Sequence, residues 1–140
     1  MDTSQMAHFI QKRLGLNDQE FQTIKENPKY QRLFKNALTA SKYRLVAEVI
    51  ESKGCHSGHL VGQKLIFDSA GNLLTKECPE KVCSFLMPNL AVLVNAFFEN
   101  FMNGREPNEV MFNRTGCFDV GHACGGWGKV IIEMRAEPRS

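Results

Sequence analysis

The chain has 140 residues, 43% hydrophobic and 23% charged, with a formal net charge of +2. That balance argues against intrinsic disorder and suits one compact domain with room for an appendage. So small a charge, with no basic run interleaved with aromatics, speaks against nucleic acid as a partner.

The first part, residues 1–42, reads as a helical arm. Met6, Phe9, Ile10 and Leu14 share one helical face, and Gly15 stops the segment. Asn17 followed by Glu20 is a capping box for a second helix with Phe21 and Ile24 as its apolar positions. Pro28 suits the first turn of a third helix, in which Tyr30, Phe34 and Leu38 recur every four residues. Phe9, Ile10, Leu14, Phe21, Ile24, Phe34 and Leu38 are more apolar surface than so short an arm can hide. This predicts a homo-oligomer or a subunit of a larger redox complex.

The second part, residues 43–140, reads as α+β. Strands are expected at Tyr43–Ile50 and Gln63–Asp68, the latter ended by the turn Ser69-Ala70-Gly71-Asn72. From Ser84 to Asn103 the pattern becomes helical, with Ser84 as cap, Gly104 as terminator and Pro88 near the first turn. A further strand is expected to start at Val110-Met111-Phe112, and a last one at Lys129–Arg135 with Val130, Ile132 and Met134 inward. The order predicts a small antiparallel sheet covered by one long helix, with the N-terminal helical arm ahead of it.

Each junction in that scheme carries a cysteine cluster: Gly54-Cys55-His56-Ser57-Gly58-His59, Cys78-Pro79-Glu80-Lys81-Val82-Cys83, and Gly116-Cys117 through Asp119 and His122 to Cys124-Gly125-Gly126. These hold all five cysteines and three of the four histidines. If loops one and three each join neighbouring antiparallel strands, they share one end of the sheet. The stretch before the helix can join them there.

The start, Met1-Asp2-Thr3-Ser4-Gln5, lacks the basic and apolar regions of an export signal. The most apolar stretch, Phe85 to Phe101, is broken by Pro88, Asn89, Asn95, Glu99 and Asn100, so no membrane span is expected. A cytoplasmic protein is expected, in which thiols serve as metal ligands, catalytic groups or core residues, and the sequon at Asn113-Arg114-Thr115 carries no weight.

Cys55-x3-His59 has a short metal-ligand spacing with Gly58 to curl the chain. In Cys78-Pro79-x3-Cys83 the proline fixes the backbone, and Cys83 lies just before the expected helix, where the dipole favours thiolate. Cys117, Asp119, His122 and Cys124 lie within eight residues, ahead of Gly125-Gly126-Trp127-Gly128. Each cluster also has a plainer reading as packed thiols and glycine turns. Together they exceed the four ligands of one zinc or one iron–sulfur cluster. The candidate metal set is Cys55, His59, Cys78, Cys83, Cys117 and Cys124, with His122 as a further nitrogen. The sulfur-rich set favours iron–sulfur over zinc.

The run Cys55-x2-Gly58-His59-x2-Gly62, then Cys78-Pro79-x3-Cys83, Gly104 and Cys117, resembles a family of short, uncharacterised prokaryotic proteins that open with Cys-x-x-Gly-His-x-x-Gly. The likeness spans about Tyr43 to Glu137. It departs at the third loop, where Cys117-Phe118-Asp119 stands for the family's Cys-Pro-Asp. It implies that Cys55, His59, Cys83 and Cys117 matter, without naming a reaction.

Three functions are open. The first is a metal-binding module, a small subunit or accessory protein of a redox enzyme system. The second is a small enzyme using Cys83 at the helix start, or Cys117 with Asp119 and His122, with Gly125-Gly126 as oxyanion donors. The third is an assembly protein with inert cysteines. The sharpest expectation is geometric: Cys55, Cys83 and Cys117 should come together.

Overall fold

In the computed structural model, which describes residues 1–140, three short helices precede a four-stranded antiparallel sheet backed by a longer helix. Helix α1 (Thr3–Leu14) is opened by Asp2, which accepts the Gln5 N–H and donates its own N–H to the Gln5 amide oxygen. Helix α2 (Asp18–Lys25) uses the expected Asn17/Glu20 box in the same way. Helix α3 (Pro28–Ala40) places Pro28 at its first position, where a missing N–H costs nothing. The three bury a small cluster of Met6, Ala7, Phe21 and Phe34, while Phe9, Leu14 and Leu38 stay exposed. At the far end, Ala40 already packs in the core of the sheet, and Asn36 Nδ2 donates to the Met102 carbonyl.

The sheet runs β2 (Lys64–Asp68), β1 (Tyr43–Lys53), β4 (Lys129–Pro138), β3 (Arg114–Gly116). Its inner face is Leu45, Ala47 and Val49 of β1, Leu65 and Phe67 of β2, and Val130, Ile132 and Met134 of β4. Against it lies helix α4 (Met87–Met102) with Leu90, Leu93, Phe97 and Phe101. Each of these large side chains contributes roughly 1.5–3 kcal/mol by leaving water. This is the α+β architecture the pattern predicts.

Two boundaries differ from expectation. The helix starts at Met87 rather than Ser84, because Phe85 lends its carbonyl to the Phe118 N–H, 2.9 Å away, instead of to a helical turn. Val110-Met111-Phe112 is loop, not strand. Pairing with β4 becomes regular only at Arg114, and Met111 and Phe112 stand in solvent.

β1 and β4 pair from Tyr43↔Pro138 to Lys53↔Lys129, with a bulge at Ile50. Because β1 ends where β4 begins, the 54–63 connection to β2 and the 117–128 connection from β3 emerge at the same end of the sheet. That topology positions the site.

Candidate functional site

Backbone contacts sew the three cysteine-bearing segments together. Gly54 adopts φ +65°, and buried Gly128 lies so close to it that a Cβ would overlap the Gly54 carbonyl oxygen. This joins the first loop to the third. The Cys117 N–H donates to the Val130 carbonyl (3.0 Å), and Asn89 Nδ2 on α4 donates to the Gly116 carbonyl (2.7 Å). Together with the Phe118–Phe85 bond, these hold the third loop against the segment before α4.

His59 ties that segment to the first loop. It is 2% exposed, and its Nε2 accepts the Cys83 N–H at 3.1 Å. Its Nδ1 faces Gln63 Oε1 at 3.2 Å, and the same oxygen accepts the Leu60 N–H. An oxygen already accepting can only accept again, so the proton sits on Nδ1 and the Nε2 lone pair is spent on Cys83. His59 is therefore a neutral clamp, with neither nitrogen free for a metal.

Cys55, Cys83 and Cys117 line one cavity of about 20 Å³, with His56, His59 and Leu86 among its other walls. A single water needs roughly 10–15 Å³ by the same measure, so the space suits one water or one ion. No three His, Cys, Asp or Glu side chains are drawn in to metal-ligating geometry. The convergence is one of thiols around a shared space, each half-buried.

The remaining candidates lie elsewhere. Cys78 Sγ accepts the Ile66 N–H (3.4 Å) and faces the Leu74 carbonyl (3.3 Å), so it belongs to the β2 edge. Cys124 is exposed and lines, with His122, a separate groove. Asp119 organises the third loop: its carboxylate accepts the N–H groups of Gly121 (2.9 Å), Trp127 (3.0 Å) and Gly128 (3.0 Å). Those bonds, Gly128's foremost, hold its carboxyl below the usual aspartate range. Gly126 passes so close to Asp119 that a Cβ would overlap it. The Gly125 and Gly126 N–H groups, expected as oxyanion donors, bond instead to the His122 and Gly121 carbonyls.

One residue escaped the sequence reading. His56 is exposed at the cavity mouth, and neither of its ring nitrogens has a hydrogen-bond partner within the protein. Its ring stands edge-on to Trp127 (5.9 Å) and tilted to Phe85 (6.3 Å), which in turn meets Phe118 (6.0 Å). The signal that could have separated His56 from His59 is Gln63, four residues after His59 and able to take up its free nitrogen. The rim residues Phe85, Phe118 and Trp127 are all at least half exposed. No helix is long and apolar enough to cross a membrane. No family model, curated protein or solved structure matches the chain.

Proposed function

We propose that the chain is a metal-binding module that takes one zinc-type ion between Cys55, Cys83 and Cys117, with His56 completing a four-donor set. The observation that carries this is the cavity. Three thiols from three separate connections line a space the size of one ion. Three thiolates and one imidazole make a donor set typical of tetrahedral zinc. Side-chain rotation between staggered rotamers would draw the sulfurs to ~2.3 Å from the ion. Iron–sulfur cubanes need four thiolates, and neither Cys78 nor Cys124 lines the cavity.

On binding, the ion would displace the thiol protons, so affinity should fall with acidity. His59 would hold the Cys83 backbone in place without touching the ion. The nucleophile reading draws less support, because Asp119 and the glycine N–H groups are committed to loop structure and His122 does not line the cavity. The aromatic rim and the exposed apolar residues of the arm support a module that works within a larger assembly.

The test is elemental analysis with an absorption spectrum on anaerobically purified protein. About one zinc per chain is expected, lost on Cys55→Ser, Cys83→Ser or Cys117→Ser and kept on Cys78→Ser or Cys124→Ser. Protein free of metal beyond trace would overturn the proposal. A brown protein would return the choice to iron–sulfur.

A further inference from the structure

The four strands carry six basic side chains, and four are spent on the protein's own carboxylates. Arg44 reaches Glu137 and Glu77, Lys64 reaches Glu48, Arg114 reaches Glu133, and Arg135 reaches both Glu48 and Glu137. Lys53 and Lys129 are the two left over, and they are register partners at the end of the β1–β4 pair. Val130 points into the core, so alternation puts Lys129, and Lys53 opposite it, on the outer face of the sheet. Directly opposed residues in an antiparallel pair have Cβ atoms roughly 4.5–5.5 Å apart, and like charges there destabilise the sheet. Both side chains are exposed, so packing does not call for the arrangement.

The two lysines line a groove of about 470 Å³ beside the third loop, with Trp127, His122, Cys124 and Glu51. Small-ligand sites occupy roughly 300–1,000 Å³. Trp127, the chain's only tryptophan, is 75% exposed and supplies a flat apolar wall. Glu51 is the groove's one carboxylate; its register partner is Ile131, and it forms no ion pair with either lysine. The groove thus combines two unneutralised ammonium groups with an unshielded aromatic face.

We propose that this groove binds a small organic anion with a flat ring, its carboxylate or phosphate held between Lys53 and Lys129 and its ring laid on Trp127. The anion removes the repulsion that the register imposes, and the ring covers apolar surface that nothing in the chain covers. Lys129 also borders the cysteine cavity, so a bound anion would sit next to it. The inference uses none of the three cavity cysteines and stands apart from the metal reading.

Trp127 is its own reporter. The full chain is titrated with phenyl phosphate, with benzoate and with uncharged phenol while tryptophan emission is followed. Saturable quenching by either anion, weakened by salt, is expected, and whichever acts identifies the anionic group. Lys53→Ala and Lys129→Ala should each weaken it about three- to fivefold, the size of an exposed charge contact, while Lys64→Ala leaves it unchanged. The same anion should slow alkylation of Cys124, which peptide mapping reads independently of fluorescence. No saturable change with either anion would overturn the proposal, as would phenol acting as well as the anions or lysine variants indistinguishable from the parent.

Discussion

The β1–β4 pair treats its two ends in opposite ways. At the Tyr43–Pro138 end the outer face carries a ladder of alternating charge, in which Arg44, Glu137, Arg135, Glu48 and Lys64 are joined in turn. Only Arg44 Nε is left buried without a partner. At the Lys53–Lys129 end, like charges face each other, two glycine-rich loops meet the segment before α4, and the His56 ring nitrogens have no partner within the protein. The first end is locally self-consistent and explains itself as stability. The second sets like charges in register and exposes large aromatic side chains within a few residues of one another. Natural sequences tolerate such conflict chiefly where function requires it, which is why both proposals fall at that end.

The largest expected effect tests the contrast among the cysteines. If the ion binds as proposed, its binding energy is also folding energy. Cys83→Ser should then cost several kcal/mol, about 10 °C or more in melting temperature. Cys78→Ser should cost about 1 kcal/mol, the worth of its contacts with Ile66 and Leu74, and leave metal content alone. Equal effects in the two variants would erase the distinction between the cavity and the β2 edge.

Next is Gly128→Ala. The added methyl group would overlap the Gly54 carbonyl and press on the Cys55 nitrogen, so the two loops must part, at about 1–3 kcal/mol. Gly58→Ala meets no neighbour and suffers only its positive φ of +74°, at roughly 1–2 kcal/mol. Thermal melts should rank them in that order, and only the first should reduce bound metal. A third comparison concerns the histidines. Glutamine can replace an Nε2 acceptor whereas asparagine is too short. His59→Gln should therefore retain the metal, and His59→Asn should lose about 1–3 kcal/mol by stranding the Cys83 N–H. His56→Gln should weaken metal binding with little change in stability of the metal-free protein. Metal loss in His59→Gln together with retention in His56→Gln would exchange their roles.

Much of the fold was legible because its signals are local. The Asn17/Glu20 box, Pro28 at a helix start, Gly104 after α4 and the alternation of Val130, Ile132 and Met134 all act within a turn or a strand. What went astray was decided over longer range. Ser84 had every mark of a helix cap, yet Phe85 bonds to a loop more than thirty residues away. Met111 and Phe112 have strand composition, but regular pairing with β4 begins only at Arg114, and the Asn108 side chain takes both backbone groups of Ala136. The meeting of Cys55, Cys83 and Cys117 followed from which strands are neighbours. The placement of Cys78 and Cys124 outside that cavity did not, since it depends on where the β2 edge and the third loop carry each thiol. What sets His59 apart from His56 is likewise a matter of hydrogen-bond partners, Gln63 and the Cys83 N–H, and spacing to a cysteine carries no record of them.

The smallest effect tests the charge ladder. Arg135 donates to Glu137 at 2.8 Å and to Glu48 at 3.2 Å, with each of the three side chains about a third exposed. The Arg135 hydrogen bond holds the Glu137 carboxyl below its usual range, and Glu137 in turn raises Arg135. For a carboxyl with a depressed folded pKa, the unfolded chain takes up the proton first as acid is added. The stabilisation is therefore complete above the ordinary glutamate value of about 4.3 and drains away as pH falls through the lower folded value. Arg135 keeps its proton throughout this window, so all of the dependence comes from the carboxyl. Arg135→Met should cost about 0.5–1 kcal/mol at neutral pH, given the exposure of the pair. The difference from the parent should shrink as urea melts are moved from pH 7 towards pH 3. Metal content should not change, because the ladder lies at the other end of the sheet from the cysteines. A gap that stayed constant with acid would mean that Arg135 acts through packing over Val46, its register partner and one of the core residues on that face, and the contrast between the two ends would then be one of burial and not of charge.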